Sequence, residues 1–163
     1  QKLWKGVGVL MMLAGVAMPA GALGGSRDPL RPLGFLRDGK ASATPVHFQR
    51  VTTRAELDAR IAAAGRPVLL DFYADWCVSC KEMERNTFSE AKVAQALDAF
   101  VLLQVDVTAN GAEDKALLKR YGLVGPPGIL FFDAQGAERA ELRVIGYRPP
   151  ENFLPVLKQA LGN

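Results

Sequence analysis

The chain opens on an apolar stretch: from Gly6 to Gly25 no residue is charged, and the run is long enough to cross a hydrocarbon layer of roughly 30 Å as a helix. Lys2 and Lys5 precede it, and Trp4 suits an interfacial position. The positive-inside rule puts the lysine end in the cytoplasm and everything after Ser26 on the far side. A signal peptide has the same charged start, and "AGA" at Ala20 to Ala22 resembles a cleavage site. A buried core helix is the third reading. The membrane-span and signal-peptide readings both export the rest of the chain. Residues 1–25 are therefore expected to be a transmembrane helix. In residues 26–45 proline, glycine and charge dominate and no period holds, which describes a linker.

From residue 46 to residue 163 the pattern is that of a folded domain. "VHFQRV" (Val46 to Val51) alternates and predicts a half-buried strand. "TRAELDARIAAAG" predicts a helix with Thr53 and Glu56 forming a capping box and Gly65 as the stop. "PVLLDFYA" (Pro67 to Ala74) is near-continuously apolar, as a central strand covered on both faces should be. A helix-like segment follows from Cys77, interrupted near "NTFS", with Ser89 as cap of its second piece. "FVLLQVDV" (Phe100 to Val107) is a second buried strand, and "AEDKALLKRYG" a helix closed by Gly122. "GILFFD", the turn "AQG" and the alternating "AELRVIG" predict an antiparallel hairpin. The last segment, "PENFLPVLKQALG", is helical with Pro155 inside its pattern. Strands and helices that alternate in this way imply an α/β fold with a mixed central sheet flanked by helices.

Composition narrows the function classes. At 163 residues, 49% apolar and 23% charged, the chain suffices for one domain with a core plus appendages. Its net charge of +3 is small and its basic residues are scattered, without interleaved aromatics, so nucleic acid is not an expected partner.

The chemistry lies in "DFYADWCVSCKEME", which holds both cysteines, Cys77 and Cys80. A structural zinc site needs four ligands, and the chain has no further cysteine and one histidine, His47. Haem attachment requires histidine after the second cysteine, where Lys81 stands. A purely structural bridge over so short a loop restrains little in the unfolded chain. The remaining reading is redox chemistry with no metal and no cofactor beyond a Cys77–Cys80 disulfide. Cys77 would sit at a helix N-terminus, where free N–H groups stabilise a thiolate, and Cys80 one turn on can resolve a mixed disulfide. Asp71 is the one charged residue in a buried strand, so its pKa is expected to be raised. Glu84, four residues after Cys80, shares the helical face; the alternative is a solvated residue paired with Lys81 or Lys92. Either carboxylate could exchange protons with the thiols, and as anions both would raise the thiol pKa. Pro126 and Pro127 precede a strand, where prolines are often only structural but where a cis bond is possible.

"YADWCVSCKEMERNTF", with "RPVLLDF", "VLLQVDVTAN", "GLVGPPGILFFDAQG" and "VIGY" around it, resembles the C-terminal periplasmic domain of the DsbD family of transmembrane thiol-disulfide interchange proteins. The resemblance covers about Val46 to Asn163, and "GALGG" followed by "DPLRPL" is similar to the last membrane helix and linker of that family. It implies a thioredoxin fold in the periplasm, held at the bacterial inner membrane. It also implies a protein-disulfide reductase that relays electrons from the membrane domain to the N-terminal periplasmic domain of the same protein. From there electrons reach disulfide isomerases and cytochrome c maturation proteins. Cys77 matches the attacking cysteine, Cys80 the resolving one and Pro127 the cis-proline, with Asp71, Glu84 and Trp76 as supporting residues. Pro126 stands where a non-proline is usual, so one backbone N–H is missing there. Two alternatives remain: a separate membrane-anchored thioredoxin-like reductase for cytochrome c maturation, and a redox-inactive thioredoxin-like binding module.

Overall fold

Three central strands, almost free of exposed surface, organise the structure, a computed structural model that describes residues 46–162. The expected membrane helix (1–25) and linker (26–45) lie outside the described residues. Among those described, no helix is long and apolar enough to cross a membrane.

The strands are β1 (Gln49–Val51), β2 (Val68–Tyr73), β3 (Val101–Asp106), β4 (Gly128–Phe132) and β5 (Val144–Ile145). They form one sheet in the order β1-β3-β2-β4-β5. β1 and β2 run parallel to β3, while β4 is antiparallel to both β2 and β5. The sheet is mixed, as the alternating elements followed by a short "DAQG" connection predict. In that connection Asp133 accepts from the N–H groups of Gln135 and Ala137, and Gly136 takes a φ of 82° that suits glycine.

Every residue of β2 is buried. Leu70 and Phe72 enter one core, with Leu57 and Ile61 of α1 (Arg54–Ala63) and Leu117 of α4 (Ala112–Arg120). Leu69 enters the other, with Met83, with Val93 and Leu97 of α3 (Ala91–Leu97), and with Phe153 and Leu157 of α5 (Pro150–Ala160). Strand alternation thus sends β2 side chains into two apolar layers, which is why its sequence reads as a continuous run.

Local structure departs from the sequence expectation at several places. β1 is three residues long rather than six, and His47 before it is exposed. Thr53 caps α1 by accepting from the Glu56 N–H at 3.2 Å, but Glu56 reaches the N–H of Thr52, not that of Thr53, and binds Arg60. The interruption near "NTFS" is a π-helical turn, Met83–Phe88, that continues the short α2 (Val78–Glu82). Ser89 does not cap α3: its backbone is still helical and its hydroxyl donates to the Arg85 carbonyl. Glu90 is the cap, its carboxylate accepting from Lys92 N (2.8 Å) and Val93 N (3.2 Å). "AELRVIG" is only partly a strand. A 3-10 turn at Ala140–Leu142 tucks Leu142 into the core, and pairing resumes for Val144–Ile145 alone. Pro155 leaves the register of α5 intact, because Phe153, Leu157 and Ala160 stay buried while Pro155 lies on the exposed side.

Phe153 is fully buried and stacks against Phe88 and Phe131 at centroid distances of 5.8 and 6.5 Å. Phe153→Ala is expected to cost about 3–5 kcal/mol in denaturant unfolding, as for other large-to-small core changes. A loss below about 1 kcal/mol would show that α5 is not part of the cooperative core.

Candidate active site

The site is built where β2 ends and α2 begins. Cys77 takes the N-cap position of α2, with extended backbone (φ −83°, ψ 103°). The chain must turn there from strand to helix, and the cap residue's side chain faces the free N–H groups of the first turn. Cys77 Sγ accepts from the Cys80 N–H at 3.1 Å, and the two cysteines are joined as a disulfide. Cys77 is 5% and Cys80 3% exposed, while Trp76 and Val78 beside them are largely open to solvent.

The loop before Cys77 is clamped from β3. Thr108, just past β3, accepts from the Asp75 N–H through its hydroxyl (2.9 Å) and from Trp76 Nε1 through its carbonyl (3.2 Å). Thr108 is held in turn by Asp106, which takes its N–H at 3.0 Å and also binds Arg50. Trp76 is therefore a loop anchor whose ring remains exposed. The Tyr73 hydroxyl donates to Asp75 (3.0 Å) and accepts from the Lys81 amine (3.3 Å), so Lys81 is tied to β2 rather than to Glu84.

Asp71 is 3% exposed and sits on the same face of β2 as Leu69. Its carboxyl accepts from Gln104 Nε2 on β3 at 2.9 Å, and the two residues are paired in register. Burial, partly offset by that hydrogen bond and reinforced by the negative charge of Glu84, raises its pKa from the ordinary 3.8 to about 7. The expectation of a raised value holds. Glu84 is exposed, and among the described residues it makes no ion pair; it acts on Asp71 through its charge. Pro127 ends a cis Pro126–Pro127 bond and is buried. β4 starts at the next residue, opposite Phe72, so register places Pro127 at the end of the sheet that carries the cysteines. Its carbonyl accepts from Gly146 N at 3.0 Å and is thereby tied to the chain beyond β5.

Sequence alone does not single out Gln104, Thr108 or Tyr73. Gln104 had a trace there, as the one amide in a buried strand, but only strand register reveals that it meets Asp71. Among the described residues no cluster of three or more His, Cys, Asp or Glu side chains could hold a metal ion.

Residues 56–161 match the family model described as a thioredoxin-like domain. The thiol:disulfide interchange protein DsbD of Ralstonia nicotianae is 54% identical over 168 residues, covering 99% of this chain and 28% of that protein. DsbD 1 of Pseudomonas aeruginosa is 46% identical over 147 residues, covering 86% of the chain and 25% of that protein. The chain thus spans roughly a quarter of the length of these curated relatives. The crystal structure of the Neisseria meningitidis DsbD C-terminal domain in its oxidised form superposes with a TM-score of 0.60 at 38% identity, covering 69% of this chain and 99% of that one. Its reduced form gives 0.58 at 39% identity, covering 68% and 99%.

A carboxyl whose folded pKa is raised binds its proton more tightly in the folded state, so folding stability falls as pH rises from the unfolded to the folded value. For Asp71 that window runs from 3.8 to about 7. The unfolding free energy of the oxidised chain should fall by a few kcal/mol relative to that of Asp71→Asn between about pH 4 and about pH 7. A wild-type minus variant difference that stays flat over this range would contradict the assignment.

Proposed function

The chain belongs to the thioredoxin-like family and, within it, to the C-terminal domains of DsbD-type thiol:disulfide interchange proteins, and from that membership we propose that it is a protein-disulfide reductase relaying electrons from a membrane domain to partner disulfides. The observation that carries this reading is the Cys77–Cys80 disulfide at the N-terminus of α2, bordered by the exposed side chains of Trp76 and Val78.

The chemistry runs from the reduced pair. As a partner docks, the Cys77 thiol gives up its proton, which passes through solvent to the departing partner sulfur, and the thiolate, accepting the Cys80 N–H, attacks one sulfur of the partner disulfide. The partner S–S bond breaks, a Cys77–partner bond forms, and the other partner sulfur leaves as a thiolate that takes up a proton. Cys80 then loses its proton to the Asp71 carboxylate and attacks Cys77 Sγ. The mixed disulfide breaks, the Cys77–Cys80 bond forms, and the second partner sulfur leaves and is protonated. Two electrons have passed to the partner. A dithiol of the membrane domain resets the site by the reverse exchange. No metal or other cofactor enters these steps.

Asp71 carries two opposite duties in time, and Glu84 shares the first. As anions they oppose the stabilisation of the Cys77 thiolate, so the thiol stays protonated and unreactive until a partner docks. Once attack begins, Asp71 is the base. Trp76, Val78, Val124 and Ile145 are exposed apolar side chains around the cysteines and the Pro127 loop, and they offer the surface on which a partner excludes water. The partners are the membrane domain and the N-terminal periplasmic domain of the same protein, and through the latter disulfide isomerases and cytochrome c maturation proteins. The alignment with the Ralstonia protein spans 99% of this chain, so the apolar run Gly6–Gly25 falls within shared sequence. This supports the division into a last membrane span (1–25), a linker (26–45) and a redox domain (46–163) in the periplasm, at the inner membrane.

Mixing the reduced chain with an oxidised N-terminal DsbD domain tests the reading. Cys77→Ser should slow transfer at least about a hundredfold, and Cys80→Ser should accumulate the mixed disulfide; equal rates in wild type and Cys77→Ser refute the enzyme. An equilibrium potential near the roughly −120 mV of a strong oxidase would reverse the direction of flow. Asp71→Asn and Glu84→Gln should each lower the Cys77 pKa, most in the double variant. Unchanged thiolate titration in all three would remove the carboxylates from the mechanism.

A further inference from the structure

Lys81 follows Cys80 in the chain and stands one helical turn after Cys77, whose carbonyl accepts from the Lys81 N–H at 3.3 Å. Residues four apart on a helix share a face, so a cation here is placed to pair with a thiolate at the cap. The side chain is directed elsewhere. Its Nζ donates to the Tyr73 hydroxyl at 3.3 Å and lies 5.8 Å from the centroid of the Tyr73 ring.

Tyr73 is built to keep it there. The residue ends β2, is 6% exposed, and belongs to the same apolar cluster as Cys77 and Cys80. Its hydroxyl is fixed from the other side by donating to Asp75 Oδ1 at 3.0 Å, and the Asp75 N–H is in turn held by Thr108. A phenol that donates to a carboxylate still has lone pairs to accept from an amine. Burial raises its pKa above the ordinary 10.0, so the donated proton stays on the phenol. The ring face adds its own attraction for a cation. A phenylalanine would keep that face and lose the acceptor.

We propose that Tyr73 is a positioning residue of the redox site: its hydroxyl holds the Lys81 ammonium away from Cys77, so that the thiolate has no cation beside it and the free, reduced chain keeps Cys77 protonated. This rests on the reading above in which Cys77 is the attacking thiol. A cation within about 4–6 Å of an acid favours its ionised form, so an unrestrained Lys81 would switch the thiol on toward any disulfide. The other charged groups nearby are engaged differently. Glu82 at the end of α2, and Glu84 and Arg85 of the π turn, are exposed. Asp71 of β2 is buried against Gln104 of β3. Asp106 at the end of β3 is turned to Arg50 and Thr108. Arg148, beyond β5, meets the π turn through its backbone.

The test titrates the Cys77 Cβ carbon by NMR in the reduced full chain, for wild type, Tyr73→Phe, Lys81→Met and the double variant. Tyr73→Phe keeps the ring in the core and removes the acceptor. The Cys77 midpoint should fall by at least about half a pH unit, and alkylation of Cys77 at neutral pH should quicken about threefold. Lys81→Met removes the charge and should raise the midpoint by less than that, because the ammonium is already held off. In the Lys81→Met background Tyr73→Phe should have no further effect. A fall that survives Lys81→Met comes from disturbed packing and overturns the inference. So does a midpoint unmoved by Tyr73→Phe, or one raised by half a unit or more in Lys81→Met alone, which would mean that the ammonium already serves the thiolate. Transfer to the oxidised N-terminal DsbD domain, measured alongside, separates the two layers. Any of these results with transfer intact in wild type and lost in Cys77→Ser overturns the role of Tyr73 and leaves that of Cys77 standing. Equal transfer in wild type and Cys77→Ser overturns the role of Cys77 and the inference with it.

Discussion

A carboxyl group in the middle of a sheet covered on both faces has no water to solvate its charge, and strand β2 carries such a group at Asp71. Desolvation alone would hold it neutral; the Gln104 amide moderates that effect and the charge of Glu84 adds to it. The balance depends on the architecture. Only the parallel register of β2 with β3 puts the amide beside the carboxyl, and only the double covering of the sheet keeps water away. The two cores therefore set the electrostatics around a disulfide that lies just beyond the end of the same strand.

The same pair of strands positions the sulfur chemistry. β3 continues into Thr108, which holds Asp75 and Trp76, and that loop delivers Cys77 to the cap of α2. The buried carboxyl and the disulfide thus hang from nearby points of one β-strand pair. A shift of β2 against β3 would disturb both together. This accounts for a polar anchor such as Asp106 at the end of β3: its bonds to Thr108 and Arg50 tie β3 to the loop on one side and to β1 on the other.

Much of this was readable beforehand. The two central strands announced themselves as unbroken apolar runs, and within one of them Asp71 was conspicuous because nothing in the run could pair with it. Cys77 and Cys80 were legible from spacing and from the strand before them. What sequence could not supply was contact across strands. Gln104 is 33 positions from Asp71, and its meaning depends on a register set by packing. Local rules also misjudged their own neighbourhood where two candidates compete. Glu90 displaced Ser89 as the cap of α3 because the chain at Ser89 is still helical. The "AELRVIG" alternation gave way to a 3-10 turn that buries Leu142, a tertiary gain that outweighs strand pairing there.

The π turn after α2 brings Thr87 and Met83 round to the chain beyond β5. The buried Thr87 hydroxyl donates to the Arg148 carbonyl at 2.7 Å, and the Arg148 N–H donates to Met83 Sδ at 3.3 Å. This clasp joins the helix that bears Cys80 to the segment that displays Tyr147. The two stretches form a stiff seat rather than a pair of independent flaps. A visiting protein then finds little to freeze into place on arrival, and correspondingly little disorder is regained when it departs. Less of the contact energy is then lost to ordering the surface, so a modest contact area suffices to hold a partner.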